Sequence, residues 1–322
     1  MNIITYGMTY LGITYSTWLT SRQHTVIAFD PEQQIEKIKL EDSLSKWFNF
    51  YKEKPYTLTI TSNIPDFSKT DLLWMTYDTP ITEEGNADVN FIMERANFIL
   101  NLIPDSLLVV ISSQVPVGTI VKLEKQWPNK KICYIPENVR VGKSWDYLNN
   151  LDRLILGTRR QSDFNIIDKI TCGCPIITMS PESAEMTKHT INCFLGTCIS
   201  FINEMTSICK IVGADPTDVS KGIKSEYRIG FKLPLSPGGP FNSGHLERDL
   251  LYIEDIAEKS LLKIPLILSI TISNNQLKNP SINKVQWYDE CPVCGSGMSG
   301  ISKKTAKCTN TMCDTRDFFE GI

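Results

Sequence analysis

Lys188 and Asn192 are four residues apart, close to the start of a long apolar stretch of the chain. This spacing is about one turn of an α-helix, so both polar head groups lie on one face and within reach of one ligand. We therefore treat them as a candidate ligand-binding pair. The alternative is a surface lysine near a helix start, although a positive charge there opposes the helix dipole.

The stretch from Ser180 to Gly213 predicts one long helix that carries this pair. Ser180 is a good N-cap, and Pro181 suits the first helical position because it has no N–H to leave unpaired. Gly213 suits a left-handed C-cap. The apolar residues between them form a band too wide for one solvated face, which indicates packing on more than one side. A helix of roughly 50 Å, at about 1.5 Å per residue, is expected at a domain junction or a dimer interface.

A second candidate site lies at the beginning of the chain. An apolar strand at residues 2–6 leads into Gly7-Met8-Thr9-Tyr10-Leu11-Gly12, a helical stretch follows, and a strand at 25–29 ends in Asp30. Such glycines let the backbone approach a pyrophosphate, and such an acid binds the adenosine ribose hydroxyls. The carboxylate also repels a 2′-phosphate, which favours NAD over NADP. Thr9 replaces the middle glycine of this motif, so an ordinary strand–helix turn remains the alternative.

Further strands at 72–76, 107–112, 131–135, 154–157 and 175–178 alternate with helical stretches, which predicts a doubly wound parallel sheet. Thr79-Pro80 and Gln114 follow two of these strands, at the edge where open α/β sheets bind ligands. We expect them beside the cofactor, together with Gly7, Thr9, Tyr10, Leu11, Gly12 and Asp30.

Four of the ten cysteines form the pattern C-x2-C-x13-C-x4-C, at Cys291, Cys294, Cys308 and Cys313. Two cysteine pairs on turns present four thiolates in a tetrahedron, the geometry that zinc prefers. The pattern predicts a zinc-ribbon-like tail, and the alternative is a set of unrelated thiols. The tail has no basic excess that would favour a nucleic-acid partner, so protein docking or a structural cap is the expected role.

Composition narrows the class of protein. The net charge of −3 gives no basic patch for nucleic acid or a membrane surface. The longest apolar run, residues 261–272, contains Lys263 and Pro265 and is too short to cross a bilayer. The first residues do not form a signal peptide, so we expect a cytoplasmic protein.

Several motifs together resemble the UDP-glucose/GDP-mannose dehydrogenase family, in the family's order and spacing over roughly residues 1–258. They are Thr79-Pro80 with Glu83 to Asp88, Val115-Pro116-Val117-Gly118-Thr119, Pro136-Glu137-Asn138-Val139-Arg140, Asp152 to Gly157, and Ala184 to Lys188 continuing through Asn192 to Glu204. The resemblance implies an NAD-binding Rossmann domain, a central helix that forms a homodimer through residues 180–213, and oxidation of a nucleotide sugar at a CH–OH carbon.

The resemblance also assigns roles to individual residues. Lys188 and Asn192 match the catalytic lysine and asparagine, and would stabilise charge left on the substrate oxygen when a hydride departs. Glu137 matches an acid that positions water or accepts a proton, and Asp249 matches a water-organising acid. The family's catalytic cysteine, which traps the aldehyde for a second oxidation, falls on His245. Imidazole cannot form that intermediate but can act as a base.

We therefore expect an α/β protein with a Rossmann-like domain (1–179), a central helix and helical domain (180–273), a linker (274–284) and a zinc-ribbon tail (285–322) replacing the family's nucleotide-binding domain. The expected activity is one NAD-dependent two-electron step on a nucleotide sugar. One alternative is an inactive binding or scaffold protein that kept the fold. The other is a β-hydroxyacid-type dehydrogenase that uses Lys188 and Asn192.

Overall fold

The computed structural model describes residues 1–278 except 33–36, 55–56, 83–86, 138, 140, 172, 231–232, 237 and 242–243, and two short strands at 298–299 and 307–308. For Gly244, His245 and those two strands it describes the backbone only. The chain divides into two compact units, Met1–Thr190 and Ile191–Ile322. The four-part domain division drawn from the sequence stays a prediction.

In its described part, the first unit contains an eight-stranded sheet. The strands are β1 (Asn2–Tyr6), β2 (Thr25–Phe29), β3 (Leu58–Thr61), β4 (Leu72–Met75), β5 (Leu108–Ile111), β6 (Lys131–Tyr134), β7 (Leu154–Gly157) and β8 (Ile176–Met179). Their order is β3-β2-β1-β4-β5-β6-β7-β8. Neighbouring strands are parallel except β6 and β7, which are antiparallel. The predicted α/β sheet is confirmed. From β1 the chain adds strands first on one side (β2, β3) and then on the other (β4 onward), so the strand order reverses between β1 and β4.

Helices cover both faces of this sheet. They are α1 (Tyr10–Ser21), α2 (Asp42–Lys52), α3 (Val89–Leu102), α4 (Thr119–Gln126), α5 (Ser144–Asn149), α6 (Gln161–Thr171) and the beginning of α7 (Pro181–Val212). Strands β4 and β5 are buried at every residue, because strands covered on both faces become continuous apolar runs. The sequence did not lead us to expect α2, β3 or α5.

Helix α1 is buried from Leu11 to Thr20 although it is rich in serine and threonine. Its hydroxyl groups donate to carbonyl oxygens four residues earlier in the same helix, as Ser16 does to Gly12 and Thr17 to Ile13, both at 2.7 Å. These bonds satisfy polar groups that are costly to bury unpaired. A polar-looking helix can therefore lie inside the unit.

Gly12 allows α1 to lie directly against the end of β1. A Cβ atom on Gly12 would lie 1.8 Å from the carbonyl oxygen of Gly7, far inside van der Waals contact. Gly7 itself has φ +106°, a left-handed conformation that favours glycine. The two glycines thus set the position of the helix start relative to the strand.

The described helices of the second unit are the remainder of α7, then α8 (Pro216–Ser225), α9 (Gly244–Lys259) and α10 (Pro265–Lys278). Cys193, Leu250 and Ile270 form one buried cluster with Phe241. Asn274 clamps Phe241 by accepting from its N–H (2.9 Å) and donating to its carbonyl (3.0 Å). Residues 274–278, expected to begin a polar linker, are thus part of α10, because buried contacts continue the helix beyond its apolar run.

The long helix expected at 180–213 is observed as α7, which runs from Pro181 to Val212.

Strands β9 (Met298–Ser299) and β10 (Lys307–Cys308) form an antiparallel pair with Cys308 opposite Met298. No helix of the described chain is long and apolar enough to cross a membrane.

We predict that Gly12→Ala destabilises the protein, because the added methyl group must push α1 away from the Gly7 carbonyl. The expected loss is at least about 2 kcal/mol of unfolding free energy, the usual scale for overpacking. Urea denaturation measures it.

Gly222→Ala is the matched control. Gly222 also lies in a helix, α8, but a Cβ atom there meets nothing within 4 Å. It should stabilise the chain by about 0.5 to 1 kcal/mol through helix propensity. Equal effects of the two substitutions would refute the close-contact explanation.

Candidate functional site

The carboxyl ends of β1, β2 and β4 bring together the residues predicted to bind a dinucleotide. Asp30, after β2, accepts a hydrogen bond from the backbone N–H of Met8 at 2.7 Å. Its other carboxylate oxygen accepts from the Tyr77 hydroxyl and from the Glu32 N–H, each at 3.0 Å. Asp30 is 5% exposed, so its charge is held by these donors inside the protein. The loop after β1 and the acid after β2 are therefore directly joined.

Thr9, at the position of the missing glycine, is the N-cap of α1. Its hydroxyl donates to the Thr76 carbonyl oxygen at 3.0 Å and accepts from the Gly12 N–H at 3.5 Å. The hydroxyl is therefore turned toward the helix and the end of β4. In this arrangement the threonine connects α1 to β4.

Thr79 and Gln114, predicted beside the cofactor, are brought together at the next strand ends. The Thr79 hydroxyl donates to the Gln114 carbonyl oxygen at 2.5 Å, and both residues are buried. Pro80 is exposed. The motifs after β4 and β5 thus form one continuous edge, as expected for a ligand-binding sheet edge.

These residues fit the pyrophosphate end of a dinucleotide. Gly7 and Gly12 add no side chain of their own to the loop, and α1 begins at Tyr10, so the positive end of its dipole points at the loop. Leu11 is buried and packs in the core. Asp30 is placed for a ribose, although three donors already use its carboxylate. The residues present therefore fit NAD, with a rearrangement required at Asp30.

The Tyr10 side chain bonds to two other segments of the chain, and its place beside the cofactor stays a prediction. Its hydroxyl donates to Glu41 and accepts from the Gly142 N–H at 3.2 Å. Glu41 also accepts from the Ser144 N–H at 2.9 Å and from the Trp145 N–H at 3.3 Å. It thus caps the start of α5. Burial raises the pKa of Glu41, but hydrogen bonds from the Ser144 and Tyr10 hydroxyls and from the Trp145 N–H lower it by more, so the pKa lies below its usual value. Sequence reasoning missed Glu41, which lies outside every motif.

Glu137 lies in the loop after β6, is 8% exposed, and accepts a hydrogen bond from the Val139 N–H. Its charge, after burial, helps to raise the pKa of Tyr147 to about 12. Lys188 is 6% exposed on α7. Both candidate catalytic residues of the first unit are therefore withdrawn from bulk water, which strengthens electrostatic interactions.

Glu185, three residues before Lys188, connects α7 to the loop that contains Val115 and Gly118. Its two carboxylate oxygens accept from the Gly118 N–H (2.7 Å) and the Ile120 N–H (2.9 Å), at the start of α4. His189, one turn further along α7, is fully buried with its Nε2 atom 3.0 Å from the Val115 carbonyl oxygen. Burial raises the pKa of Glu185 to about 7. The sequence signal was available, because Glu185 lies in the same motif as Lys188.

In the second unit, Asn192 on α7 donates a side-chain hydrogen bond to Asp249 on α9. Asn192 is 7% exposed and Asp249 is fully buried, so the bond fixes the amide orientation. His245 lies four residues before Asp249 on α9, and its side chain is outside the described atoms.

Most of the predicted zinc ligands lie outside the part of the chain that the structure describes. Cys291, Cys294 and Cys313 lie outside the described residues, and only the backbone of Cys308 is described. Among the residues that the structure describes, no group of three or more His, Cys, Asp or Glu side chains could hold a metal ion. Zinc therefore stays a prediction.

Two family models match this chain. The UDP-glucose/GDP-mannose dehydrogenase NAD binding domain matches residues 1–171, and the central domain of the same family matches residues 182–276. A UDP-glucose 6-dehydrogenase of Rickettsia bellii is 26% identical over 301 residues, covering 88% of this chain and 69% of the relative. The enzyme TuaD of Bacillus subtilis is 28% identical, covering 87% of this chain and 64% of the relative. The chain thus spans about two thirds of these relatives' length.

Solved structures show the same fold. A UDP-glucose dehydrogenase from Pyrobaculum islandicum superposes with a TM-score of 0.76 at 21% identity, covering 85% of this chain and 68% of that one. The 3-hydroxyisobutyrate dehydrogenase of Mycobacterium tuberculosis superposes with a TM-score of 0.62 at 14% identity, covering 88% of this chain and 94% of that one. At these identities the likeness establishes the fold alone.

We predict a pH-dependent stability caused by Glu185. The unfolded chain ionises this group near 4.5, and the folded protein near about 7. Between these values the folded state holds a proton that the unfolded state has lost, so stability falls as pH rises, by about 1.4 kcal/mol per pH unit. Denaturant unfolding from pH 4.5 to 8 should show this slope in the wild type and lose it in Glu185→Gln.

Glu182→Gln is the control, because Glu182 lies on the same turn of α7 but its pKa is lowered by the ion pair with Arg159. It should leave the slope between pH 5 and 7 unchanged. Parallel pH profiles for wild type and Glu185→Gln would contradict the prediction.

Proposed function

The chain belongs to the UDP-glucose/GDP-mannose dehydrogenase family, and from this premise we propose that it is an NAD-dependent oxidoreductase acting on a CH–OH group of a nucleotide sugar. We propose further that it performs one two-electron step, from alcohol to aldehyde or ketone. One observation carries the proposal: Lys188 and Asn192 are both buried and lie one turn apart on α7.

Each residue has a chemical role in this proposal. Bound NAD would accept the hydride. The Lys188 ammonium and the Asn192 amide stabilise the negative charge that develops on the substrate oxygen. Glu137 holds a water molecule, or receives the hydroxyl proton in the case that His245 does not. Asp249 keeps the Asn192 amide oriented through their hydrogen bond, so that its geometry is set before substrate arrives.

His245 is the reason for limiting the reaction to one step. A second oxidation requires a thiolate that traps the aldehyde, and imidazole does not supply that nucleophile. Instead, His245 is proposed as a general base, since its ordinary pKa is close to neutral. Its position four residues before Asp249 on α9 puts both residues on one helix face.

The first test is to incubate the protein with NAD and a panel of nucleotide sugars, measuring NADH by absorbance and the product by mass spectrometry. We expect one NADH per sugar and no uronic acid. Lys188→Ala should lower kcat by about 100-fold or more, the usual cost of losing an oxyanion-stabilising donor. Lys210→Ala, an exposed lysine on the same helix, should leave the rate unchanged.

The outcomes separate the alternatives. Two NADH per sugar with a uronic acid would refute the single-step proposal. NAD binding without turnover on any sugar would favour an inactive binding or scaffold protein. Turnover of a 3-hydroxy acid instead of a nucleotide sugar would favour the β-hydroxyacid-type alternative, whose fold is also represented among the structural neighbours.

We also propose a homodimer formed through residues 180–213. Phe194, Phe201 and Ile208 are spaced by seven residues along α7 and are 53%, 48% and 50% exposed. A stripe of exposed large apolar side chains at this spacing is the pattern of a helix–helix seam. A second copy of the chain is the proposed partner.

The cysteine tail is proposed to bind one zinc ion through Cys291, Cys294, Cys308 and Cys313. The antiparallel pairing of β9 and β10 supports it, because this pair ends in Cys308 and lies between the first cysteine pair and Cys313. The proposed role is a structural cap or a protein-docking module.

Native mass spectrometry tests both assemblies at once. We expect two chains of 36.5 kDa with one zinc per chain. Phe201→Glu should give monomers that retain zinc, and Cys291→Ser should lose zinc but remain dimeric. Cys174→Ser, a half-buried cysteine outside the tail, is the control for both properties. A wild-type monomer would refute the seam, and a metal-free dimer would refute the zinc site.

A further inference from the structure

Tyr77 lies across the carboxyl ends of three adjacent strands. It follows β4, while Gly7 follows β1 and Asp30 follows β2, and these strands are neighbours in the order β2-β1-β4. A Cβ atom on Gly7 would lie 2.7 Å from Cδ2 of Tyr77, so the ring rests directly on this glycine. The hydroxyl reaches Asp30 at 3.0 Å. One side chain therefore bridges the whole edge where the adenosine half of a dinucleotide binds in such folds.

Neighbouring side chains hold the ring in this position. Phe91 packs edge-on against it at 5.6 Å between centroids, and the Arg95 guanidinium lies 5.6 Å from the ring centroid. Arg95 forms an ion pair with Glu32 at 2.7 Å, and the Glu32 N–H donates to Asp30 at 3.0 Å. Tyr77 is only 3% exposed. The contacts thus run in a closed circuit from Asp30 through Tyr77, Arg95 and Glu32 and back to Asp30.

The same contacts use the carboxylate that a ribose needs. Asp30 accepts from the N–H groups of Met8 and Glu32 and from the Tyr77 hydroxyl. Of these three donors, only the Tyr77 hydroxyl belongs to a side chain that can rotate away. Burial raises the pKa of Tyr77, so the hydroxyl keeps its proton and stays a donor.

We propose that Tyr77 is a built-in occupant of the adenosine-ribose subsite, and that NAD binds only after Tyr77 leaves Asp30. This inference rests on the proposed use of NAD and adds a specific consequence. The affinity of the wild-type protein for NAD is reduced by the free energy needed to break the Asp30–Tyr77 contact and to move the Tyr77 ring away from Gly7. Tyr77 is thus an affinity-determining residue that does not itself take part in hydride transfer.

Isothermal titration of the full chain with NAD, and separately with ADP-ribose, tests this. Tyr77→Val removes both the hydroxyl and the ring and should bind each ligand about 10- to 100-fold more tightly, because the ligand then neither competes with a hydrogen bond to a charged group nor has to lift the ring. Tyr77→Phe leaves the ring in place and frees only Asp30. It should show a smaller gain in the same direction, and it serves as the second variant if Tyr77→Val does not fold.

Phe98→Val is the matched control, since Phe98 lies on α3 beside Tyr6 in the same aromatic group but is not among the contacts of Asp30. Its affinity should stay within about two-fold of wild type, as the Asp30 contact is intact. Unchanged or weaker binding in folded Tyr77 variants would overturn the inference, as would failure of wild type and variants alike to bind either ligand. Binding by the variants but not by wild type would support it while refuting NAD use by the natural protein.

Discussion

The close contact between Gly12 and the carbonyl of Gly7 is the constraint on which the first unit depends. With no side chain at either position, α1 begins immediately at the end of β1 and points its dipole at the loop. The same loop turns the Met8 N–H toward Asp30, which joins β1 to β2. The geometry of the candidate dinucleotide site is thus a consequence of how closely one helix approaches one strand.

Buried and partly buried carboxylates then attach the remaining loops to this frame. Asp30 holds the loop after β1, Glu41 holds the start of α5, and Glu185 holds the start of α4. In each case a carboxylate accepts from backbone N–H groups at a loop or helix start, where those groups have no partner within the helix. These carboxylates therefore position the loops near Glu137 and Gln114 and the part of α7 that carries Lys188. None of the three carboxylates has a proposed catalytic role.

Much of the fold followed from the sequence because its signals are local. Apolar runs predicted seven of the eight described strands of the first unit's sheet, and the caps at Ser180 and Gly213 predicted α7 almost to the residue. By contrast, α2 and β3, which lie between two predicted strands, were not predicted, and α10 extends into a polar segment because Asn274 is buried against Phe241. Elements stabilised mainly by distant contacts leave little trace in a short stretch of sequence.

By itself, the sequence determined the α/β class, the long central helix and the residue types of the candidate site, from Asp30 to Lys188 and Asn192. Only the tertiary structure decided how those side chains are used. It joined Asn192 to Asp249 across 57 positions, assigned Tyr10 to Glu41, and laid Tyr77 over Gly7 and Asp30. The physical reason is that side-chain identity is local, whereas burial and hydrogen-bond partners depend on which distant segments pack together.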